Sequence, residues 1–130
     1  MTEYEFYPGY TAPIPQDNYA IFEAGAFVPF NYLIIDFNVD EIFVYAPYQE
    51  RGLISCRHLT DEDKALARDL LSAKTLSTIS EDSENFAFDA LTFSVKAKIQ
   101  GKTFFFSHIL PEDKKVLEIY ALYETLTEER

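Results

Sequence analysis

The stretch 91-LTFSVKAKIQGKTFFFSHI-109 decides the fold. From Leu91 to Gln100, apolar and polar residues alternate, which predicts a strand that is buried on one side only. The dipeptide Gln100-Gly101 favours a tight two-residue turn, so the chain is expected to return as a second strand over 102–109. The stretch therefore predicts an antiparallel β-hairpin.

A two-residue turn also fixes which residues of this hairpin lie opposite each other. Ile99 is expected opposite Lys102, and Ala97 opposite Phe104. Side chains two apart on a strand point to the same face of a sheet. The inner face of the hairpin is therefore predicted to carry five side chains: Phe93, Val95, Phe104, Phe106 and His108.

Two helices are predicted around the hairpin. The first covers about 61–76, because Thr60 is a capping residue followed three positions later by Asp63, close to a capping box. Its first turn, Asp61–Asp63, carries only acids, which are stabilised by the positive end of the helix dipole. The second helix covers about 111–127, with Pro111 expected at its first position.

The first half of the chain predicts further strands. Residues rich in aromatic and β-branched types occupy 19–23, 27–37, 42–46 and 53–57, whereas 1–18, rich in proline, glycine and tyrosine, predicts an irregular arm laid on the domain. Several strands with two helices, and without regular alternation, indicate an α+β fold. We expect a single domain over 1–130, with an antiparallel sheet of about five to six strands packed against two helices.

The composition bounds the function. Twenty-two acids against eleven bases give a formal charge of −11, which disfavours direct binding to nucleic acid phosphates and favours a basic protein partner. The single cysteine excludes an internal disulfide and a multi-cysteine zinc site. A start without basic residues and apolar runs of only about five residues predict a cytoplasmic protein without a signal peptide or a membrane helix.

The placement of charge is more informative than its sum. The first fifty residues contain eight acids and seven of the nine tyrosines, with no lysine or arginine. Tyrosine is enriched in interfaces, and carboxylates without neighbouring bases attract a cationic partner, so we expect one exposed partner-binding surface here. The alternative is that the tyrosines pack within strands. The residues predicted to bind the partner are Tyr32, Asp36, Asp40, Glu41, Tyr45 and Tyr48.

Candidate catalytic groups are few. Cys56 and His58, two apart on a predicted strand, point the same way, but catalytic pairs are normally brought together by the fold rather than by sequence adjacency. His108, set among phenylalanines, is expected to be a satisfied core or edge residue. No phosphate-binding glycine loop or hydrolase motif is present. We therefore predict no catalytic residue, no metal, no cofactor and no enzymatic activity.

These observations favour an inhibitor, most specifically an immunity protein that neutralises a basic, nuclease-type bacterial toxin by covering its active or nucleic-acid-binding cleft. Three alternatives remain open. The first is a phage-encoded nucleic-acid mimic that inhibits a host defence protein. The second is a small enzyme or ligand-binding domain, expected to show a deep apolar cavity with Cys56, His58 or His108. The third is a structural subunit with an exposed strand edge.

Overall fold

The computed structural model describes residues 2–5, 11–25, 32–45, 53–82 and 90–127, with the backbone alone for 2–5, 11–13 and 53–55. Within these residues the chain forms strands and helices in the order β1 (Thr2–Glu5), β2 (Thr11–Ile14), β3 (Tyr19–Gly25), β4 (Tyr32–Asp36), β5 (Glu41–Tyr45), β6 (Leu53–His58), α1 (Asp61–Leu70), α2 (Ala73–Leu76), β7 (Thr92–Ile99), β8 (Lys102–Ile109) and α3 (Lys114–Thr127).

Six of the strands form one antiparallel sheet in the order β6-β5-β4-β3-β7-β8. Together with the helices it makes a single α+β domain, as the sequence predicts. The β7–β8 hairpin has the predicted register, with Ile99 opposite Lys102 and Ala97 opposite Phe104. Gln100 and Gly101 both have positive φ, 50° and 80°, which is the two-residue turn that suits the twist of a hairpin.

The prediction of an irregular arm over 1–18 is wrong for part of that segment. β1 and β2 pair antiparallel, from Thr2 opposite Ile14 to Glu5 opposite Thr11. Pro13 lies within this pairing, opposite Glu3. Both strands of a two-stranded ribbon are edges, and an edge strand accommodates proline at positions whose nitrogen faces away from the partner strand.

Both predicted helices differ from the observed ones at a capping residue. The predicted helix 61–76 is interrupted after Leu70, because the side chain of Ser72 accepts a hydrogen bond from the Thr75 backbone N–H and caps the separate helix α2. α3 begins three residues later than predicted. Its first residue is Lys114 and not Pro111. Asp113 caps it, since its carboxylate accepts from the backbone N–H of Lys115 at 2.8 Å.

One face of the sheet, the helix face, packs against the helices. Phe93 is fully buried there, with its ring 5.0 Å from that of Tyr120 and 6.1 Å from that of Phe106. Val95 and His108 are buried on the same face, as predicted. Burying a side chain of this size contributes roughly 1.5–3 kcal/mol, so this hairpin face and α3 together form the centre of the core.

The opposite face, the second face, carries a smaller apolar cluster. It consists of the buried residues Ile14, Tyr19, Ile21, Ile34 and Tyr45. Ile21 and Ile34 lie opposite each other on β3 and β4, so the middle of the sheet is buried on both sides. In the described part of the chain, no helix combines the length and apolarity needed to cross a membrane.

Candidate interaction surface

Four of the predicted partner-binding residues lie on one hairpin, β4–β5. Tyr32 lies opposite Tyr45, and Asp36 lies opposite Glu41. Because side chains alternate along a strand, all four point to the second face. The two pairs are at opposite ends of strands five residues long, about 13 Å apart. The structure therefore groups the acids with each other and separates them from the tyrosines.

The tyrosine half of the prediction does not hold as an exposed surface. Tyr45 is 6% exposed and belongs to the apolar cluster of the second face, with Tyr32 packed against that cluster and only half-buried. Burial, followed by the nearby Cys56 thiol, raises the pKa of Tyr45. Tyr19 is also buried. Tyr48 lies outside the described residues. For Tyr19 and Tyr45 the alternative interpretation, packing within strands, is the observed one.

The structure brings two of the predicted acids, Asp36 and Glu41, together. Asp36 and Glu41 are directly opposite on neighbouring strands, an arrangement of like charges that destabilises a sheet. Asp36 is partly relieved by Asn38, whose backbone N–H and side-chain amide donate to the same carboxylate oxygen at 2.9 and 3.0 Å. These donors carry no net charge, so they do not neutralise the pair.

Asp40 has local cationic partners, contrary to the sequence-based expectation. It lies in the turn between β4 and β5 with φ 55°. Its carboxylate accepts a hydrogen bond from the Arg68 guanidinium at 2.8 Å, and the Lys64 ammonium lies 3.6 Å away. Both cations come from α1, so the base-free first fifty residues receive their neutralising charges from the helix that follows.

The start of α1 adds acids that the sequence interpretation assigned only to the helix dipole. The backbone N–H of Leu59 donates to the Asp40 carbonyl at 2.8 Å, which places the first turn of α1 beside the β4–β5 turn. The Thr60 side chain caps that turn as predicted. We call the resulting group the acidic end. Its members are Asp36, Asp40, Glu41, Asp61, Glu62 and Asp63.

The acidic end carries more negative charge than its neighbours neutralise. Against its six carboxylates, the described segments 36–41 and 58–68 supply two permanent cations, Lys64 and Arg68. The side chain of Asp61 is fully exposed, and that of Glu41 is 30% exposed. The pairing of β5 with β6 and the contacts of Arg68 and Lys64 with Asp40 bring these segments together, so no local sequence signal could have identified the group.

Cys56 and His58 flank Glu41 on the next strand. The Cys56 thiol donates to one Glu41 oxygen at 3.9 Å, and the His58 Nε2 lies 3.8 Å from the other. Partial burial first, and then the charge and hydrogen bond of Glu41, raise the pKa of the Cys56 thiol. A nucleophilic cysteine needs a lowered pKa, so this arrangement opposes the catalytic interpretation of the pair.

Two clefts among the described residues bear on a possible ligand site. One, of about 410 Å³, is lined by Phe37, Arg68, Leu71 and Ile99 with four smaller or polar neighbours, and the other, of about 430 Å³, lies between α1 and α3. Cys56, His58 and His108 line neither of them. His108 is 4% exposed, with Nε2 2.7 Å from the Ser80 carbonyl, which confirms it as a satisfied core residue.

The side chains of the described segments do not form a recognisable metal site, since no group of three or more histidine, cysteine, aspartate or glutamate residues there is arranged to hold an ion. Comparison with models of protein families gives no match for the chain, and a search of curated protein sequences gives no significant relative.

Proposed function

We propose that this protein is an inhibitor of the immunity type, which neutralises a basic, nuclease-type toxin by docking the acidic end against the toxin's active or nucleic-acid-binding cleft. The observation that carries the proposal is the direct opposition of Asp36 and Glu41. Keeping two carboxylates opposite each other lowers stability, and a cation from a partner removes that repulsion on binding.

The surroundings of this pair support a protein partner. Asp40 is held in place by Arg68 and Lys64, so its backbone turn presents Asp36 and Glu41 from a fixed frame. The exposed carboxylates of Asp61 and Glu62 extend the negative charge onto α1. A surface of one sign accelerates encounter with a surface of the other sign. The proposal places the inhibitor and the toxin in the cytosol, where a nuclease toxin has access to the nucleic acid of the cell.

Fewer of the predicted residues contact the partner than the sequence suggests. Tyr45 is assigned to the sheet and not to the partner, and Tyr32 contributes at most the edge of its ring. Asp36 and Glu41 become the central pair, with Asp61 and Glu62 as the outer part of the surface. Asp40 orders the turn rather than contacting the partner, because its carboxylate already binds two cations.

The test begins with capture of basic proteins from the native cell on the immobilised protein. Each captured protein is then assayed for nuclease activity and for binding to wild type and to Asp36→Lys and Glu41→Lys variants between 50 and about 300 mM salt. We expect the wild type to inhibit a captured nuclease, and each reversal to weaken binding at least tenfold at low salt. A nonspecific DNA duplex is expected to compete with the inhibitor.

Matched controls reverse acids far from the acidic end. Glu112→Lys and Glu124→Lys make the same change of charge at exposed positions beside and within α3. If these variants weaken binding as much as the Asp36 and Glu41 variants do, net charge and not a localised surface drives association. A captured partner that binds tightly but retains full nuclease activity in the complex would reject inhibition.

A further inference from the structure

β8 forms one edge of the sheet, and the chain already pairs with part of that edge. The backbone N–H of Ser107 donates to the Glu81 carbonyl at 2.6 Å, and Asp82 forms a parallel bridge with Ser107. Backbone groups along an edge strand point alternately toward the neighbouring strand and away from it. Ser107 therefore marks the outward-pointing set of β8.

Thr103 and Phe105 belong to the same outward set, because they lie four and two residues before Ser107. Among the described residues, β7 is the only strand paired with this part of β8. The Phe105 side chain is 53% exposed on the second face. A short stretch of backbone donors and acceptors, with a large apolar side chain beside it, is a template for a further strand.

The β7–β8 hairpin itself carries only positive charge, and acids lie at its two ends. The Asp17 carboxylate accepts from the Gly101 N–H at 2.8 Å at one end, and Glu81 and Asp82 lie beside Ser107 at the other. Residues 91–110 contain three lysines and no acid. Lys96 and Lys98 lie on β7 opposite Phe105 and Thr103, on the second face. Lys102 lies at the start of β8 on the helix face, with its ammonium 5.7 Å from the centre of the Phe104 ring. An added strand would therefore meet cations on both sides of the sheet.

We infer that the edge of β8 between Lys102 and Phe106 binds a short, acidic, extended segment of a partner protein by strand addition. Backbone hydrogen bonds to Thr103 and Phe105 supply the pairing, and apolar contact with Phe105 and carboxylates near the lysines supply the selectivity. The occupied position at Ser107 limits the paired segment to about four residues. A second copy of β8 is disfavoured, because it would bring lysines against lysines.

This inference is independent of the proposed inhibitor function. β5 and β8 are separated by three intervening strands, β4, β3 and β7. Glu41 on β5 therefore lies about 19 Å from the β8 edge, and Asp36 on β4 about 14 Å from it. The acidic end attracts a cationic partner, whereas the β8 edge attracts an anionic one. The two surfaces are thus able to engage different partners, or different regions of one partner.

The experiment uses a synthetic peptide of alternating glutamate and valine, seven residues long with blocked ends, and the same peptide with lysine in place of glutamate. Binding is followed by amide chemical shifts of the full chain. We expect the glutamate peptide to shift the Thr103 and Phe105 amides and to protect them from hydrogen exchange. We expect the lysine peptide to bind at least tenfold more weakly. We also expect added salt to lower the affinity of the protein for the glutamate peptide.

The controls separate strand pairing from simple charge attraction. Thr103→Pro removes an outward N–H without breaking the β7 ladder, and Thr103→Val keeps that N–H; only the proline variant is expected to lose binding. A glutamate peptide methylated on alternate backbone nitrogens tests the same point on the unaltered protein. Equal binding of the methylated peptide, shifts confined to other residues, or self-association through 103–105 would each overturn the inference.

Discussion

Asp40 shows how one residue in a turn can join two parts of the chain. Its φ of 55° is costly for most residues that carry a Cβ, and among them asparagine and aspartate tolerate it best. Its side chain binds Arg68 and Lys64. We expect Asp40→Ala to lower the free energy of unfolding by about 1–2 kcal/mol, because it loses both the backbone preference and the partly exposed ion pairs.

Asp40→Asn is the matched control for that change, since asparagine keeps the backbone preference and a hydrogen-bond acceptor for Arg68. Urea denaturation of the two variants measures the difference. A loss of stability of the same size in both variants would mean that the ion pairs, and not the turn conformation, dominate the effect.

The contact between Glu41 and Cys56 gives a second prediction at the scale of single residues. Glu41 helps to raise the pKa of the Cys56 thiol, so Glu41→Gln is expected to lower that pKa and speed alkylation by iodoacetamide near pH 8. Rates measured from pH 7 to about 10 locate the midpoint of the profile. Asp36→Asn, which removes a charge from the opposite strand, is expected to shift the midpoint less.

Among single residues, sequence reasoning was most accurate where the backbone pattern decides the outcome. His108 and Val95 occupy the predicted face because alternation on a strand fixes side-chain direction. The helical spacing of Leu66 and Leu70 predicts that both face inward, yet Leu66 is 47% exposed whereas Leu70 is buried. Tyr45 was expected outside and is inside. A tyrosine suits a core and an interface equally well, so its residue type could not decide between them.

The elements of structure were predicted best where a turn or a cap has only one interpretation. Gln100-Gly101 fixed the register of β7 and β8 through two positive φ angles. The helices were predicted in the right places, but Ser72 divided one of them. A serine within a helical stretch is either a tolerated residue or a new cap, and packing around it makes the choice.

The start of α3 offers a test at the scale of an element. Asp113 accepts hydrogen bonds from the backbone N–H groups of Lys115 and Val116, so Asp113→Ala is expected to lower the free energy of unfolding by about 1 kcal/mol. Glu112→Ala removes the same charge one residue earlier, at an exposed position before the helix, and is expected to change stability by less than about 0.5 kcal/mol.

Thermal and urea unfolding of the two variants provide the measurement. Losses of equal size would indicate that the charge near the helix dipole, and not the capping hydrogen bonds, stabilises the start of α3. In that case Pro111, the predicted first residue, would regain importance as the point where the chain turns into the helix.

At the scale of the whole molecule, the sequence predicted the division of charge but not its arrangement in space. The absence of bases from the first fifty residues is visible in the sequence, yet Lys64 and Arg68 return to Asp40 only through the fold. The hydrogen bond from the Leu59 N–H to the Asp40 carbonyl likewise places the first turn of α1 beside the β4–β5 turn only through the fold. Long-range pairing decides which charges are neighbours, and no local pattern encodes it.

The buried phenols provide a prediction for the molecule as a whole, because they lie on both faces of the sheet. Burial is the largest cause that raises the pKa of Tyr19, Tyr45, Tyr120 and Tyr123 above the ordinary value of 10.0, and the shift is largest for Tyr123. The folded protein therefore holds these protons more tightly than the unfolded chain does. Their stabilising effect is complete below about pH 10 and is lost as the pH rises through the folded values.

We therefore expect the free energy of unfolding, measured in urea between pH 8 and about 11.5, to fall steadily above pH 10. Tyr123→Phe should make that fall shallower, because phenylalanine has no proton to lose and Tyr123 is the most shifted group. Cys56→Ser is the control for the thiol, whose raised pKa contributes a smaller loss that begins near its ordinary value of 9.0. A stability that stays constant or rises over this range would mean that the phenols ionise within the folded structure, and that the packing around Tyr123 is looser than its 3% exposure indicates.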